Sequence, residues 1–200
     1  MSSITTVLVP TGAPATAAMS PAKRPQSLRG LRIGLIDNGK EFSDIVLDGL
    51  AAVLRRDFGA TQIKFWRKGF PAKGAPFIDE MAAETDVAIS GVGHCGSSSP
   101  WSVIDAVNLE KAGVPSIALI SRSFCPLGQI VARGEGHGSL PIVMLPHPIG
   151  DAQGEKIARK GREAAAECVR LLVTPAHAVG AEFAAKTFPL PEHAVARSPA

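Results

Sequence analysis

The chain has no tyrosine, only two tryptophans and only eight phenylalanines in 200 residues. Flat side chains on which bases could stack are therefore scarce. The Lys and Arg residues are scattered and the net charge is only +3. Nucleic acid is not an expected partner. Cysteine is scarce as well. Cys95, Cys125 and Cys168 are odd in number and far apart. That excludes a secreted disulfide scaffold and fits a reducing, cytoplasmic setting. No apolar run approaches the roughly 18 residues of a membrane span, so no membrane partner is expected. A signal peptide would place a basic region before its apolar stretch, and none precedes the short one at residues 4–9. A transit peptide would carry more Arg. No Cys-x-x-Cys or His-x-x-x-His spacing announces a metal site. No P-loop and no dinucleotide fingerprint follows a strand, so no cofactor is expected either.

What is present is an ordinary globular composition, 46% hydrophobic and 20% charged. A chain of this length buries roughly 70% of its unfolded surface and needs no staple to hold a core. Residues 1–29, rich in Ser, Thr, Ala and Pro, read as a disordered extension. Residues 30–174 read as one α/β domain. Residues 175–200, rich in Pro and Ala, read as a tail that wraps the domain or a partner subunit.

Within the domain, short apolar runs alternate with helical spacing. Leu31-Arg-Ile-Gly-Leu-Ile-Asp37 is a buried strand ending in the turn Asn38-Gly39. Residues 42–58 carry apolar positions at helical spacing, and Gly59 caps them. Strands follow at 62–66, 86–93, 115–120 and 141–145. Helices follow at 76–84, 100–112, 126–133 and 155–173. The order βαβαβαβαβα predicts a mostly parallel five-stranded sheet with helices on both faces, a Rossmann-like or flavodoxin-like three-layer sandwich. Crossovers are right-handed. In such sheets ligands bind beyond the carboxyl ends of the strands. Four groups of chemically capable residues fall there: Asp37 and Asn38, His94 and Cys95, Ser121 through Cys125, and His147.

Cys95 is the leading candidate. Gly91-Val-Gly-His-Cys-Gly-Ser-Ser-Ser-Pro-Trp101 joins the third strand to a helix. The free amides and dipole at a helix N-terminus favour thiolate over thiol. Gly93 and Gly96 leave the backbone open to a substrate. Ser97, Ser98 and Ser99 offer hydroxyls and a helix cap. His94 is the nearest base or acid in sequence, although adjacent side chains often point apart.

Residues 87–119, from Val-Ala-Ile-Ser-Gly-Val-Gly-His-Cys-Gly-Ser-Ser-Ser through Glu110-Lys-Ala-Gly-Val-Pro115, resemble the UGSC family. That family is named for a selenocysteine-Gly-Ser-Cys motif, with cysteine in the first position in many members. Leu145-Pro-His-Pro-Ile-Gly150 fits the same pattern. The segment is also similar to the selenoprotein B subunits of glycine, sarcosine and betaine reductases, in which a selenol attacks an activated carbon. The resemblance implies thiol-dependent reductive or eliminative chemistry, with Cys95 in the selenocysteine position and Gly96 and Ser97 after it. Ser98 stands where the motif's second cysteine belongs. A resolving thiol must then be Cys125 or an external one, or the reaction is not a net redox one.

The remaining candidates also lie at strand ends. Cys125 can face Cys95 across the crevice, as paired thiols do in the aspartate/glutamate racemase and maleate isomerase group. Cys168, in the last helix, reads as core. Arg122 can clamp a carboxylate bidentately. His147, between two prolines, is presented rigidly as an acid or base. Asp37 and Asn38 can bond a substrate or the Cys95 loop, or simply make the turn. The glycine-rich stretch at 133–139 reads as an ordinary loop or a flap over the crevice. His94, Cys95, Cys125, His137 and His147 are metal-ligand types without ligand spacing. The expectation is a cysteine-dependent enzyme for a small carboxylated or carbonyl-bearing substrate, with Cys95 as nucleophile. The alternatives are a two-cysteine racemase or isomerase using Cys95 and Cys125, and a small-molecule-binding subunit, as a homodimer or beside a partner subunit.

Overall fold

A computed structural model of the chain describes residues 19–69, 71–150 and 153–190. Five parallel strands, β1 (Arg32–Asp37), β2 (Gln62–Arg67), β3 (Val87–Gly93), β4 (Ser116–Ser121) and β5 (Ile142–Leu145), form one sheet in the order β2-β1-β3-β4-β5. This is the expected three-layer α/β architecture. β3 and β4 are buried along their whole length, as strands covered on both faces must be.

Six α-helices are present among the described residues: α1 (Ser43–Phe58), α2 (Ile78–Glu84), α3 (Ser98–Lys111), α4 (Cys125–Gly134), α5 (Gly154–Val173) and α6 (Ala176–Ala185), with a 3-10 turn at Arg122–Phe124 before α4. α1 packs with α5, while α3 packs with α2 and with α4. Right-handed crossovers place the first pair on one face of the sheet and the other three on the opposite face. α1 and α5 approach so closely that only glycine fits at their crossing. A Cβ on Gly161 would stand 1.9 Å from the Val46 carbonyl oxygen, and one on Gly49 would stand 2.1 Å from that of Ala158.

Both ends of the described chain are tied to the domain. Residues 1–18 of the extension lie outside the described residues. Within residues 19–29, Leu28 is buried in the main core and Arg24 forms a buried ion pair with Glu110 at 2.8 Å. Glu110 also accepts the Ser116 amide at 2.6 Å, and its carboxylate lies 3.6 Å from His137 Nε2. His137 and its glycine-rich loop are therefore at the amino ends of β4 and β5, the pole opposite Cys95. The flap reading of 133–139 is overturned for that reason. Within residues 175–190, the segment read as a tail contains α6, whose Val179 and Phe183 enter the core. No helix among the described residues is long and apolar enough to cross a membrane.

The strand order reverses between β1 and β3. The chain leaves β1 for β2 on one side, then returns to build β3, β4 and β5 on the other. Crevices outside the carboxyl ends of strands open at such a point. The loops that border it follow β1, β3 and β5.

Candidate functional site

α3 begins at Ser98, two residues earlier than the sequence pattern suggests, with Ser97 at its cap position. Cys95 therefore stands just before the first turn. Its sulfur lies 3.0 Å from Ser98 Oγ and 3.4 Å from Ser97 Oγ, and the Ser98 amide donates to it at 3.3 Å. Burial pushes the thiol up. The hydroxyls of Ser97 and Ser98 and their backbone amides outweigh this and bring Cys95 from 9.0 down to about 7. Gly96 and Ser97 are exposed, and a Cβ built on Gly96 would meet nothing within 4 Å. Cys95 itself is half-buried, and the loop that follows it is open to solvent. Ser98 is itself buried, and its oxygen also accepts the His94 amide at 3.1 Å. It tunes the sulfur and holds the loop, and does not line the open face.

Gly93 lets this loop form. A Cβ there would come within 2.5 Å of the Ile120 side chain and 2.7 Å of Ser99 Cα. β3 can consequently run hard against β4 and α3 before turning into the cysteine loop.

The β1 residues hold the crevice and do not project into it, which corrects their assignment as substrate contacts. Asn38 is buried. Its amide nitrogen donates to the Val92 carbonyl at 2.7 Å and to Ser102 Oγ at 3.0 Å, and its oxygen accepts the Lys40 amide at 3.0 Å. Asp37 is buried too. It accepts the Gly39 amide at 2.9 Å and the Ser43 hydroxyl, and lies 3.4 Å from Arg67 Nε. Both side chains are almost sealed from solvent and their polar atoms already face protein partners, so they serve the loop and do not reach a ligand.

Asn38 therefore clamps two loops together, and one residue on the first was not singled out from the sequence. Lys40 is half-buried and belongs to no ion pair or side-chain hydrogen bond among the described residues. Two residues on, Phe42 adopts a left-handed conformation at φ 68°. This conformation is costly for a residue with a Cβ and is kept only where packing demands it. The Phe42 ring packs so closely against Gly150 that a Cβ there would stand 2.7 Å away. Gly150 belongs to the loop after β5 that also carries His147. The loop of Lys40 thus bridges the cysteine loop and the His147 loop. Its place after β1 at the switch point was the signal available in the sequence.

His94 is half-buried, and its Nε2 is buried without a hydrogen-bond partner among the described residues. Burial, the charge of Lys40 and that of His147 hold its imidazole below the ordinary value, against a hydrogen bond to the Glu41 backbone. Its neutral form prevails at neutral pH, which suits a base. His147 is exposed. Its Nδ1 lies 3.2 Å from Ser121 Oγ, and its ring meets Phe124 edge-on at 5.9 Å.

Two candidates fall away from this group. Cys125 opens α4 fully buried, with its sulfur turned toward the carbonyls of Ile120 and Ser121. Burial pushes its thiol up to about 12. It faces the core and not Cys95, so it is not a second thiol of the crevice. Cys168 is fully buried as expected, and burial pushes it higher still. Arg122 is exposed and lines a groove of about 760 Å³ along β5, between Met144, Glu167 and the segment carrying Lys186 and Leu190. No cysteine or histidine lines this groove. The thiol with a lowered pKa is at the switch point instead, which makes that end of the sheet the candidate site. Among the described residues, no group of three or more His, Cys, Asp or Glu side chains is placed to hold a metal ion.

Fold and site together define a doubly wound α/β domain with a cysteine at the switch point of its sheet. Residues 6–174 match the family model of the UGSC family, and the chain belongs to that family. A search of curated proteins found no match.

Proposed function

We propose that the chain is a thiol-dependent enzyme in which the Cys95 thiolate attacks an electrophilic carbon of a small carboxylated or carbonyl-bearing substrate. One observation carries this reading. The sulfur receives two hydroxyls and a helix-terminal amide, and its thiol is thereby held at about 7. A substantial share of it is thiolate at neutral pH, and the loop beside it at Gly96 is open.

In the reaction the sulfur–carbon bond forms as the π pair of a carbonyl or conjugated double bond moves to oxygen or to the neighbouring carbon. The Ser97 hydroxyl and the amides at the start of α3 meet the negative charge that develops. His94, neutral at the working pH, takes a proton from the thiol or the substrate. His147 is the second proton carrier on the facing loop. Addition and elimination balance with these groups alone. Reduction requires an external thiol as co-reactant, since position 98 is serine and Cys125 is buried. Such chemistry suits a reducing, cytoplasmic compartment.

The test is alkylation of Cys95 by iodoacetamide across pH, read by mass spectrometry, with Cys168 and the denatured chain as controls. A midpoint near 7, with protection by small carboxylates or carbonyl compounds, supports the reading. Slow labelling with a midpoint at or above 8.5 removes the nucleophile. The domain would then be a binding or partner subunit.

A further inference from the structure

Four observations converge on the loop after β1. Asn38 ties it to the cysteine loop through the Val92 carbonyl and Ser102. The Asn38 side-chain oxygen receives the Lys40 amide and fixes where that residue leaves the turn. Phe42, in its left-handed conformation, pins the far end of the loop to Gly150 beside His147. Between these two anchors Lys40 is half-buried, with no acidic partner among the described residues. Loop glycine geometry adds rigidity. Gly39 sits at φ 73°, with the Lys68 carbonyl so near that a Cβ would stand 2.3 Å from it.

We propose that Lys40 is the specificity-determining residue of the Cys95 site: its ammonium holds the carboxylate of a small anionic substrate beside the thiolate. This rests on the reading of Cys95 as the nucleophile. It transfers to Lys40 the anchoring role that the sequence suggests for Arg122, whose side chain belongs to the β5 groove. A cation without an acidic partner among the described residues, carried by a half-buried residue on a rigid loop, is pre-organised for an anion. The loop does not have to order itself when a carboxylate binds. The Asn38 bond to the Val92 carbonyl holds the Lys40 loop beside the cysteine loop, and the Lys40 charge bears on His94 there. The α3 N-terminus supplies the second positive pole. An anion bound between the two would present its neighbouring carbon to the sulfur. Glu41, next in the chain, is exposed, and its charge opposes that of Lys40 at His94 more weakly.

Two alkylating reagents of nearly equal size read this directly. In both, the thiolate sulfur bonds to the methylene carbon and iodide leaves with the bonding pair. Iodoacetate carries a carboxylate, and iodoacetamide does not. The expected result is that the iodoacetate rate saturates with concentration. Lys40→Met lowers the ratio of the iodoacetate to the iodoacetamide rate by about fivefold, the size of a partly exposed ion pair. Lys40→Arg keeps the ratio, and so does Lys111→Met, which removes the same charge at the opposite pole of α3. The proposal is overturned if both reagents label Cys95 rapidly and Lys40→Met leaves the ratio unchanged. It is equally overturned if Arg122→Met or Lys111→Met lowers the ratio as much. If Cys95 resists both reagents in every variant, the nucleophile reading fails first and Lys40 loses its role with it.

Discussion

Ser98 Oγ stands 3.0 Å from Cys95 Sγ, and the same serine sends its backbone amide to that sulfur at 3.3 Å. One residue therefore supplies two of the interactions that oppose burial and keep the thiol near 7. Ser98→Ala removes the hydroxyl and retains the amide. A hydrogen bond to a charged group contributes roughly 1.5–3 kcal/mol when buried and less at a half-exposed sulfur, so the alkylation midpoint should rise by about one pH unit. Below the midpoint the rate should fall about tenfold per pH unit in both proteins. An unmoved midpoint would assign the lowered value to the Ser97 hydroxyl and the amides.

The same proximity makes position 98 a redox determinant. Ser98→Cys places a second sulfur one helical turn from the first, at the start of α3. Thiolates so placed form disulfides readily. Treatment of this variant with oxidised glutathione should yield an internal 95–98 disulfide that blocks iodoacetamide, and dithiothreitol should restore labelling. The parent protein under the same conditions should give only the mixed disulfide at Cys95. Persistence of the mixed disulfide in the variant would show that the two side chains cannot align.

Cys125 should be inert. It is fully buried, its thiol is raised to about 12, and its sulfur points to the β4 carbonyls. Cys125→Ala is expected to leave the pH midpoint and rate of Cys95 alkylation unchanged while lowering thermal stability modestly. A large loss of Cys95 reactivity with the fold intact would contradict the separation of the two thiols.

Most of the strand and helix bounds, and the place of Cys95 between β3 and α3, were legible in the sequence. Parallel strands buried on both faces must be nearly continuous apolar runs, and the parts of β3 and β4 that show this are hard to misread. The carboxyl-end rule then singles out the cysteine loop. Side-chain direction was not legible. Cys125 lies at a strand end as Cys95 does, and only packing decides that its sulfur turns inward. Lys40 carries no motif, and its position becomes meaningful only when Asn38 and Phe42 are seen to pin its loop. The Arg24–Glu110 pair joins residues 86 apart, which no local pattern reports. α6 is short and rich in alanine, with only Val179 and Phe183 buried. It lacks the apolar stripe that marks α5 and reads as tail.

Asn38→Ala tests the clamp. The substitution strips the Val92 carbonyl, the Ser102 hydroxyl and the Lys40 amide of their shared partner in a buried position. Unsatisfied buried groups cost about 1–3 kcal/mol each when water cannot enter. Chemical denaturation should show a loss in that range. Cys95 alkylation should also slow, because the loop after β1 no longer braces the loop before α3. Lost stability with unchanged alkylation would mean that the cysteine loop holds its shape without β1.

The ion pair at the opposite pole makes the final prediction. Glu110 is buried and shared by Arg24, the Ala22 and Ser116 amides and His137. Arg24→Ala leaves a buried carboxylate without its cation. Breaking such a pair costs about 3–5 kcal/mol, far more than the pair itself contributes. Arg24→Ala combined with Glu110→Gln should recover part of that loss, since the remaining amide side chain still bonds the Ser116 amide and carries no charge. The check is a double-mutant cycle by urea denaturation. Coupling near zero would mean that residues 19–29 lie loosely on the domain, and that Glu110 is satisfied by the backbone amides alone.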